Sequence, residues 1–378
     1  MEVEGIASNN SKPSNLSIEQ DQDKGTQNED CGLTSAHTID HDSWQQVGLL
    51  LVTSYNCGWI LTFSNLILVP LGWKWGIICL IVVGLYVAYA NWLLASFHVI
   101  DGQRFIRYRD LMGFVYGKNM YRITWTFQCS TLLLVNMGFI LLGGKALKEI
   151  NSEFHDSPLR LQYYIVITGA LYFLFSFFIP TISAMRNWLG ASAVLTLSYI
   201  IMVLIVLVKD GKSNSNKDFH ISGSEGSKVF NAFGAISAVI VCNTGGLLLE
   251  IQVFAAPIHE ALDTRFLDVN KGMHSGKNLK NLFLLRVLFF LGNTLVTAAF
   301  PFMGDFVNLL GSFSLVPLTF TFPSMVFIKV KGKKTRTAKK AWHWFNIVFS
   351  SLLTVATTIS AVRLIVDNIQ KYQFFADA

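Results

Sequence analysis

The sequence predicts an all-α polytopic membrane protein with about nine transmembrane helices. Of its 378 residues, 52% are hydrophobic and only 14% are charged, whereas about a quarter of the residues in a soluble domain are charged. The charged residues lie mostly between long apolar runs, and about 20 consecutive apolar residues form a helix that crosses the bilayer core. This composition argues against a soluble globular protein.

Three regions are expected along the chain. Residues 1–43 are dominated by Ser, Asn, Gln, Asp and Glu, so they bury too little apolar surface to fold and are predicted to form a disordered cytosolic tail. Residues 44–366 form the predicted transmembrane domain, and residues 367–378 form a short extracellular tail. No signal-peptide pattern precedes the first apolar segment.

Nine apolar segments are predicted to span the membrane, by their length and composition. They lie near 47–69, 75–98, 123–145, 163–182, 187–208, 229–249, 283–303, 306–328 and 343–366.

The charges of the connecting loops predict the orientation of these spans. The 99–122 loop, the 329–340 loop and the connection after the sixth span are rich in Lys and Arg. All three fall on one side of a nine-span topology, which the positive-inside rule makes cytoplasmic. The N-terminus is then cytosolic, and the balanced 209–228 loop is extracellular. This topology also explains the net charge of +6 without nucleic-acid binding.

The basic run at 329–340 has a second interpretation. Clusters of Lys and Arg beside a membrane span attract anionic lipid headgroups. The topological interpretation is the simpler of the two, since the run lies directly between two spans.

The first span is interrupted by polar and small residues near its centre. Asn56, Cys57, Gly58 and Trp59 lie where an α-helix would cross the bilayer midplane. Secondary transporters use such broken helices, whose free backbone groups bind the substrate and the coupling ion. A helix–helix contact built on small residues is the alternative.

The sixth span carries a similar interruption at Asn243, Thr244, Gly245 and Gly246. First and sixth spans are corresponding positions in a five-plus-five inverted repeat, and paired interruptions of this kind indicate a substrate site. We therefore include both sets among the candidate substrate-binding residues.

The third span adds Gln128 and Asn136 as candidate substrate-binding residues. Eight residues apart, they lie within about 80° of each other on an α-helix. They could face a shared polar pathway, although an interhelical hydrogen bond is the alternative for each.

Several chemistries lack any supporting pattern. No helix centre is expected to carry Asp, Glu, Arg or His, so no buried chain of proton carriers is predicted. No phosphate-binding loop, zinc motif or hydrolase nucleophile motif is found, and the five cysteines have no metal-ligand spacing. We expect neither an enzyme nor a bound cofactor or metal.

Six short motifs are spread from the end of the first span to the last span. They are Val69-Pro70-Leu71-Gly72-Trp73, Ile106-Arg107-Tyr108-Arg109-Asp110-Leu111, Asn243-Thr244-Gly245, Pro301-Phe302-Met303-Gly304-Asp305-Phe306, Trp342-His343-Trp344 and Ala361-Val362-Arg363-Leu364-Ile365. Together they resemble the plant proline transporters of the amino acid/auxin permease family.

This resemblance implies a proton-coupled importer at the plasma membrane. The implied substrates are proline and related compatible solutes such as glycine betaine and γ-aminobutyrate. It also implies eleven spans, of which the first ten form a broken-helix inverted repeat. The resemblance gives no expectation for the oligomeric state.

The chain departs from that pattern after the sixth span. Gln252 is followed directly by Val253 and by 254–260, a segment similar to the cytoplasmic end of the family's eighth span. We therefore expect an internal deletion at 252–253 that removes the seventh span and most of the eighth. Losing two spans leaves the remaining loops on their original sides.

Three functions remain open on the sequence alone. The first is active transport of amino acids. The second is a transport-inactive truncated relative, from a splice form or an incomplete gene model, which would act by associating with full-length transporters. The third, a receptor or channel, is disfavoured by the paired interruptions. Because the missing spans border the substrate site, poor proline transport is expected.

The topology predicts which loops a membrane-impermeant reagent reaches. Cysteine tags placed in 209–228 or after residue 367 should be labelled on intact cells, and tags in 329–340 only after permeabilisation. Labelling of 329–340 on intact cells would contradict the nine-span topology.

Overall fold

The structure is a computed structural model. It describes residues 64–105, 107–155, 159–179, 186–213, 221, 224–244, 251–268, 275–301, 309, 311–368 and 375. The predicted tail at 1–43 and most of the first predicted span lie outside these residues.

The described part of the chain is almost entirely helical. Its α-helices are α1 (Ser64–Ala95), α2 (Tyr108–Tyr116), α3 (Lys118–Ser152), α4 (Leu161–Phe178), α5 (Arg186–Ser213), α6 (Glu225–Thr244), α7 (Ile251–Phe266), α8 (Gly276–Ala299), α9 (Phe322–Lys331) and α10 (Thr337–Asn368).

A two-stranded antiparallel hairpin joins α1 to α2. Strand β1 (Val99–Ile100) pairs with β2 (Gln103–Arg104), with Val99 opposite Arg104. Asp101 and Gly102 form the turn with φ angles of 50° and 82°. Positive φ at both central residues is the requirement of the type I′ turn, whose twist matches that of the strands.

Helix α1 is broken at Gly72, where the first predicted span ends. Gly72 has φ 72° and ψ 157°, and Pro70 lies two residues before it. This backbone conformation is open to glycine and strained for other residues. The break therefore separates the end of the first predicted span from the second.

Eight helical segments of the described residues are long and apolar enough to cross a membrane. They are Leu66–Ala95, Lys118–Ser152, Leu161–Phe178, Gly190–Lys212, Glu225–Asn243, Gly276–Ala299, Gly311–Lys334 and Thr337–Asp367. They correspond to the second through ninth predicted spans, which confirms the all-α polytopic membrane fold.

The span Gly311–Lys334, called the central span below, is the most buried of the eight. Within its most apolar stretch 67% of residues are buried, against 6% in the stretch from α5. It starts with two π-helical segments, Gly311–Leu315 and Pro317–Thr321, which lead into α9. Since proline lacks an N–H group and clashes with the preceding turn, Pro317 and Pro323 favour a widened helix over a regular one.

Hydroxyl groups join the central span to three surrounding helices. The bonds are Ser314 Oγ to Thr131 Oγ1 on α3 at 2.6 Å, Ser312 Oγ to Ser237 Oγ on α6 at 2.7 Å, and Thr321 Oγ1 to Ser350 Oγ on α10 at 2.8 Å. All six side chains are buried. Such bonds between helices take the place of the water that a membrane interior lacks.

A buried ion pair corrects the expectation that no helix centre carries a charge. Arg286, near the middle of α8, donates two hydrogen bonds to Asp263 of α7, at 2.8 and 3.1 Å. Both side chains are fully buried. The sequence boundary at 283 placed Arg286 at a span end, whereas α8 begins at Gly276. Its partner comes from α7, which was not counted as a span.

We expect Asp263→Asn to destabilise the protein strongly, because it leaves the Arg286 cation buried without a counter-charge. Breaking one side of such a pair costs about 3–5 kcal/mol. The apparent melting temperature of the detergent-solubilised protein measures the effect. The matched control is Asp367→Asn, since Asp367 pairs with Arg363 at 3.5 Å on an exposed surface. Equal shifts for the two variants would contradict the assigned role.

Gly311→Ala tests the close approach of the central span to α6. A Cβ atom at Gly311 would lie 2.2 Å from Val241 Cγ2, and the branched valine side chain has little rotamer freedom. We expect a loss of about 1–3 kcal/mol, read as a lower apparent melting temperature.

The control for Gly311→Ala is Gly190→Ala on α5, where no described atom outside the helix's own adjacent backbone lies within 4 Å of the new Cβ. Alanine is the better helix former, so Gly190→Ala should leave stability unchanged or raise it. If Gly311→Ala left the apparent melting temperature unchanged, the central span and α6 would be free to move apart.

Candidate substrate cavity

A cavity of about 440 Å³ lies between the end of α1, the hairpin, α2, α3 and the π-helical part of the central span. Its polar lining comes from Gln128, Thr319, Arg107 and His98, and its other walls are mostly apolar. A largely apolar pocket of this size with a few convergent polar groups is typical of a small-molecule site.

Two tyrosines hold α2 against the central span and so position one wall of the cavity. Tyr108 donates to the Leu318 carbonyl at 3.1 Å, and Tyr116 donates to the Met325 carbonyl at 2.8 Å. Burial raises the pKa of the Tyr108 hydroxyl well above its ordinary value. Tyr108 therefore stays a neutral hydrogen-bond donor at physiological pH.

The apolar wall belongs to a core cluster around the hairpin. Phe97, Phe105 and Leu111 are buried, and all three pack with Leu318 of the central span. The same four side chains line the cavity. The cavity is thus bounded by the protein core on this side.

A charged group closes the edge of the cavity near α2. Arg107 donates a hydrogen bond to Glu260 of α7 and lies 3.8 Å from the Asp110 carboxylate. Burial raises the pKa of the Asp110 carboxyl and Glu260 adds to the rise, while Arg107 and Arg109 oppose it. The arginine that lines the cavity is therefore balanced by neighbouring carboxyl groups.

The structure brings one of the two third-span candidates into the cavity. Gln128 lines it. Asn136 lies about 12 Å further along α3, where it is buried and donates to the Leu132 carbonyl at 2.8 Å. Among the described residues its side-chain oxygen has no hydrogen-bond partner. Asn136 therefore does not line this cavity and stays a predicted substrate-binding residue.

Two of the four sixth-span candidates, Asn243 and Thr244, are the last residues of α6. Asn243 donates to the Val239 carbonyl at 2.9 Å. A Cβ atom at Gly84 of α1 would lie 3.1 Å from the Asn243 side-chain oxygen, so this amide faces α1 closely.

The remaining candidates lie outside the described residues. These are Asn56, Cys57, Gly58 and Trp59 of the first span, and Gly245 and Gly246 after α6. The paired interruption of the first and sixth spans therefore stays a prediction.

Sequence reasoning missed the central span as a wall of the site. Its Thr319 and Leu315 line the cavity together with Gln128, and π-helical turns recur at functional sites. The available signal was the combination of Gly311 and Pro317 with closely spaced Ser and Thr residues. This pattern is unusual for a lipid-facing helix.

Comparisons with known proteins agree with this membrane architecture. The chain is similar to GABA transporter 1 of Arabidopsis thaliana, with 24% identity over 425 aligned positions covering 86% of this chain and 93% of the relative. It is also similar to Lysine histidine transporter-like 6 of the same plant, with 22% identity. That alignment covers 81% of this chain and 87% of the relative. No solved structure matches the chain.

The profile of one protein family matches most of the chain. The family is described as "Transmembrane amino acid transporter protein", and the matched ranges are 40–252 and 238–363. These ranges include every residue that lines the cavity and the amide at the end of α6. The chain therefore belongs to the transmembrane amino acid transporter family.

Proposed function

We propose that the chain imports proline and related small zwitterions, glycine betaine and γ-aminobutyrate among them, across the plasma membrane together with protons. The observation that carries the proposal is the cavity at Gln128, which offers polar groups from two helices inside an apolar enclosure. The family membership supports amino acids as the transported class.

The lining of the cavity favours a compact zwitterion over a strongly cationic amino acid. The apolar side chains of Leu94, Phe97 and Leu111 suit a small ring or short methylene chain, while the Gln128 amide and the Thr319 hydroxyl suit its charged ends. The name of GABA transporter 1 fits this class. The lysine and histidine of the other relatives' names would place a long or basic side chain among these apolar groups.

The broken helices form a second part of the proposed transport path, since Gly84 beside Asn243 lies about 15 Å along α1 from the cavity residue Leu94. In this proposal Asn56, Cys57, Gly58 and Trp59 of the first span face Asn243, Thr244, Gly245 and Gly246 of the sixth. Their free backbone groups would bind the substrate carboxylate and the coupling ion. The position of Asn243 against Gly84 of α1 keeps this end of α6 close to the helix that follows the first span.

Three observations support a missing two-helix block near 252–253. First, 86% of 378 residues is about 325 residues, so about 100 of the 425 positions aligned with GABA transporter 1 have no counterpart here. Second, the two family matches overlap at 238–252 instead of following one another. Third, only residues 245–250 separate α6 from α7.

The exposure of α5 also agrees with a missing neighbour. Leu195, Leu204 and Leu207 are 70%, 56% and 52% exposed. Ala193, Thr196, Ile200 and Val203 are buried or half-buried and form one stripe along the helix, so α5 packs on one side and its other sides are exposed. We propose that the absent spans would cover part of this helix and that transport is slow without them.

Uptake of labelled proline tests the proposal. The chain and a version with the two-helix block restored should be expressed in transport-deficient cells at matched surface levels. We expect slow uptake by the chain and faster uptake by the restored version, with both abolished when the proton gradient is dissipated. A parallel measurement with γ-aminobutyrate tests the substrate range.

The outcomes of this experiment separate the open alternatives. Uptake by the restored version alone would support the transport-inactive alternative. No uptake of either solute by either version would refute the substrate assignment. Comparable rates for the two versions would show that the block is dispensable.

Gln128→Leu should reduce proline uptake by about ten- to hundredfold at low substrate concentration, because it removes a hydrogen bond to a charged group while keeping side-chain size. The measurement uses whichever version transports faster. Gln103→Leu is the control, since Gln103 is exposed on the hairpin and does not line the cavity. Equal uptake by both variants would show that Gln128 does not contribute to substrate binding.

A further inference from the structure

The connection between the central span and α10 is a dense, acid-free cluster of cations. Residues 329–340, called the basic turn below, hold seven Lys and Arg side chains and no Asp or Glu. Six of the seven are exposed, and Lys340 is half-buried. The backbone turns tightly here through the 3₁₀ segment Gly332–Lys334. Seven positive charges are thus concentrated at one end of two adjacent helices.

These cations find no carboxylate partner in the part of the chain that the structure describes. Every ion pair of that part lies elsewhere, as for Arg107 with Glu260 and Arg363 with Asp367. Exposed cations that repel one another without counter-charges raise the free energy of the fold. An external anion that binds to the turn would relieve this repulsion.

Two lysines of the basic turn are oriented by aromatic rings. Lys331 Nζ lies 4.9 Å from the centre of the Phe97 ring, and Lys339 Nζ lies 5.1 Å from that of Phe327. Both rings are buried in the core cluster that also lines the cavity. Cation–π contacts of this kind fix the two ammonium groups in place. The remaining cations have no such contact with an aromatic ring of the described residues.

Exposed aromatic side chains place the turn at the membrane surface. Trp342, Trp344 and Phe345, at the start of α10, are 49%, 57% and 58% exposed. Tryptophan prefers the depth of the lipid headgroups, where one part of the ring is apolar and the other is wet. The basic turn directly precedes this group and follows the end of α9, so it lies at headgroup depth.

We propose that the basic turn is a binding site for the headgroups of anionic phospholipids, whose phosphate and carboxylate groups supply the missing counter-charges. Cation clusters that directly flank a membrane span attract such lipids. That these are lipids of the cytoplasmic leaflet rests on the proposed topology. The positive-inside rule accounts for the sign of the loop charge but not for a tight turn with ring-oriented ammonium groups.

The site would link lipid composition to the substrate cavity. Phe97, whose ring makes the cation–π contact with Lys331, is itself a lining residue of the cavity. The turn also forms the end of the central span, whose Leu318 lines the same space. A bound headgroup would therefore hold the end of this span in one position relative to α1.

The experiment measures lipid binding to the full chain in neutral detergent by native mass spectrometry. The probes are phosphatidylserine and phosphatidylcholine with identical acyl chains. The variant is Lys333→Gln/Lys334→Gln/Arg336→Gln, which spares the two ring-bound lysines. The control is Lys118→Gln/Lys277→Gln/Lys280→Gln, which removes the same charge from exposed positions in the first turns of α3 and α8.

We expect the chain to bind phosphatidylserine more tightly than phosphatidylcholine. The basic-turn variant should lose about tenfold or more of its phosphatidylserine affinity, and the control variant should keep it. Equal binding of the two lipids, an equal loss in both variants, or full displacement of phosphatidylserine by millimolar inorganic phosphate would overturn the proposal. The measurement of lipid binding in detergent requires neither transport activity nor a defined orientation in a membrane. Its outcome is therefore independent of the proposed function.

Discussion

The fold depends on one constraint, which is that backbone and hydroxyl groups inside a membrane need partners within the protein. Regular helices meet it through their own hydrogen bonds, and most spans here expose apolar side chains outward. The central span cannot meet it in this way, because its π-helical turns and its Ser and Thr side chains require neighbours. It is therefore enclosed by α3, α6 and α10. The cavity lies where this enclosure is incomplete.

The sequence predicted much of the fold and little of the site. Apolar runs and loop charges depend on composition alone, so the second through ninth spans could be identified in advance. Gln128 could be named because an amide in an apolar helix is conspicuous. The Arg286–Asp263 and Arg107–Glu260 pairs could not, since each joins residues far apart in the chain. The π-helical backbone likewise arises from packing that no local pattern encodes fully.

Three kinds of charged group in the described part of the chain differ in what surrounds them. Arg286 and Asp263 neutralise each other in the interior and tie α7 to α8. The cations of the basic turn have no such partner and face outward. Arg107 lies between these extremes, with 22% of its side chain exposed, at the edge of the cavity. Only this third kind of position combines a fixed charge with access to a small solute.

The tyrosine bonds of α2 set a limit on how far the central span can travel. Tyr108 and Tyr116 donate hydrogen bonds to the carbonyls of Leu318 and Met325 in that span, which lie about two helical turns apart. A movement of about 1 Å along the direction of either bond would lengthen that bond beyond its working range. Small movements of the span are therefore shared by α2 and by the adjoining Arg107, whereas larger ones must first release both hydroxyls. Breaking the two tyrosine hydrogen bonds of α2 therefore adds to the energy barrier of a large rearrangement of the cavity.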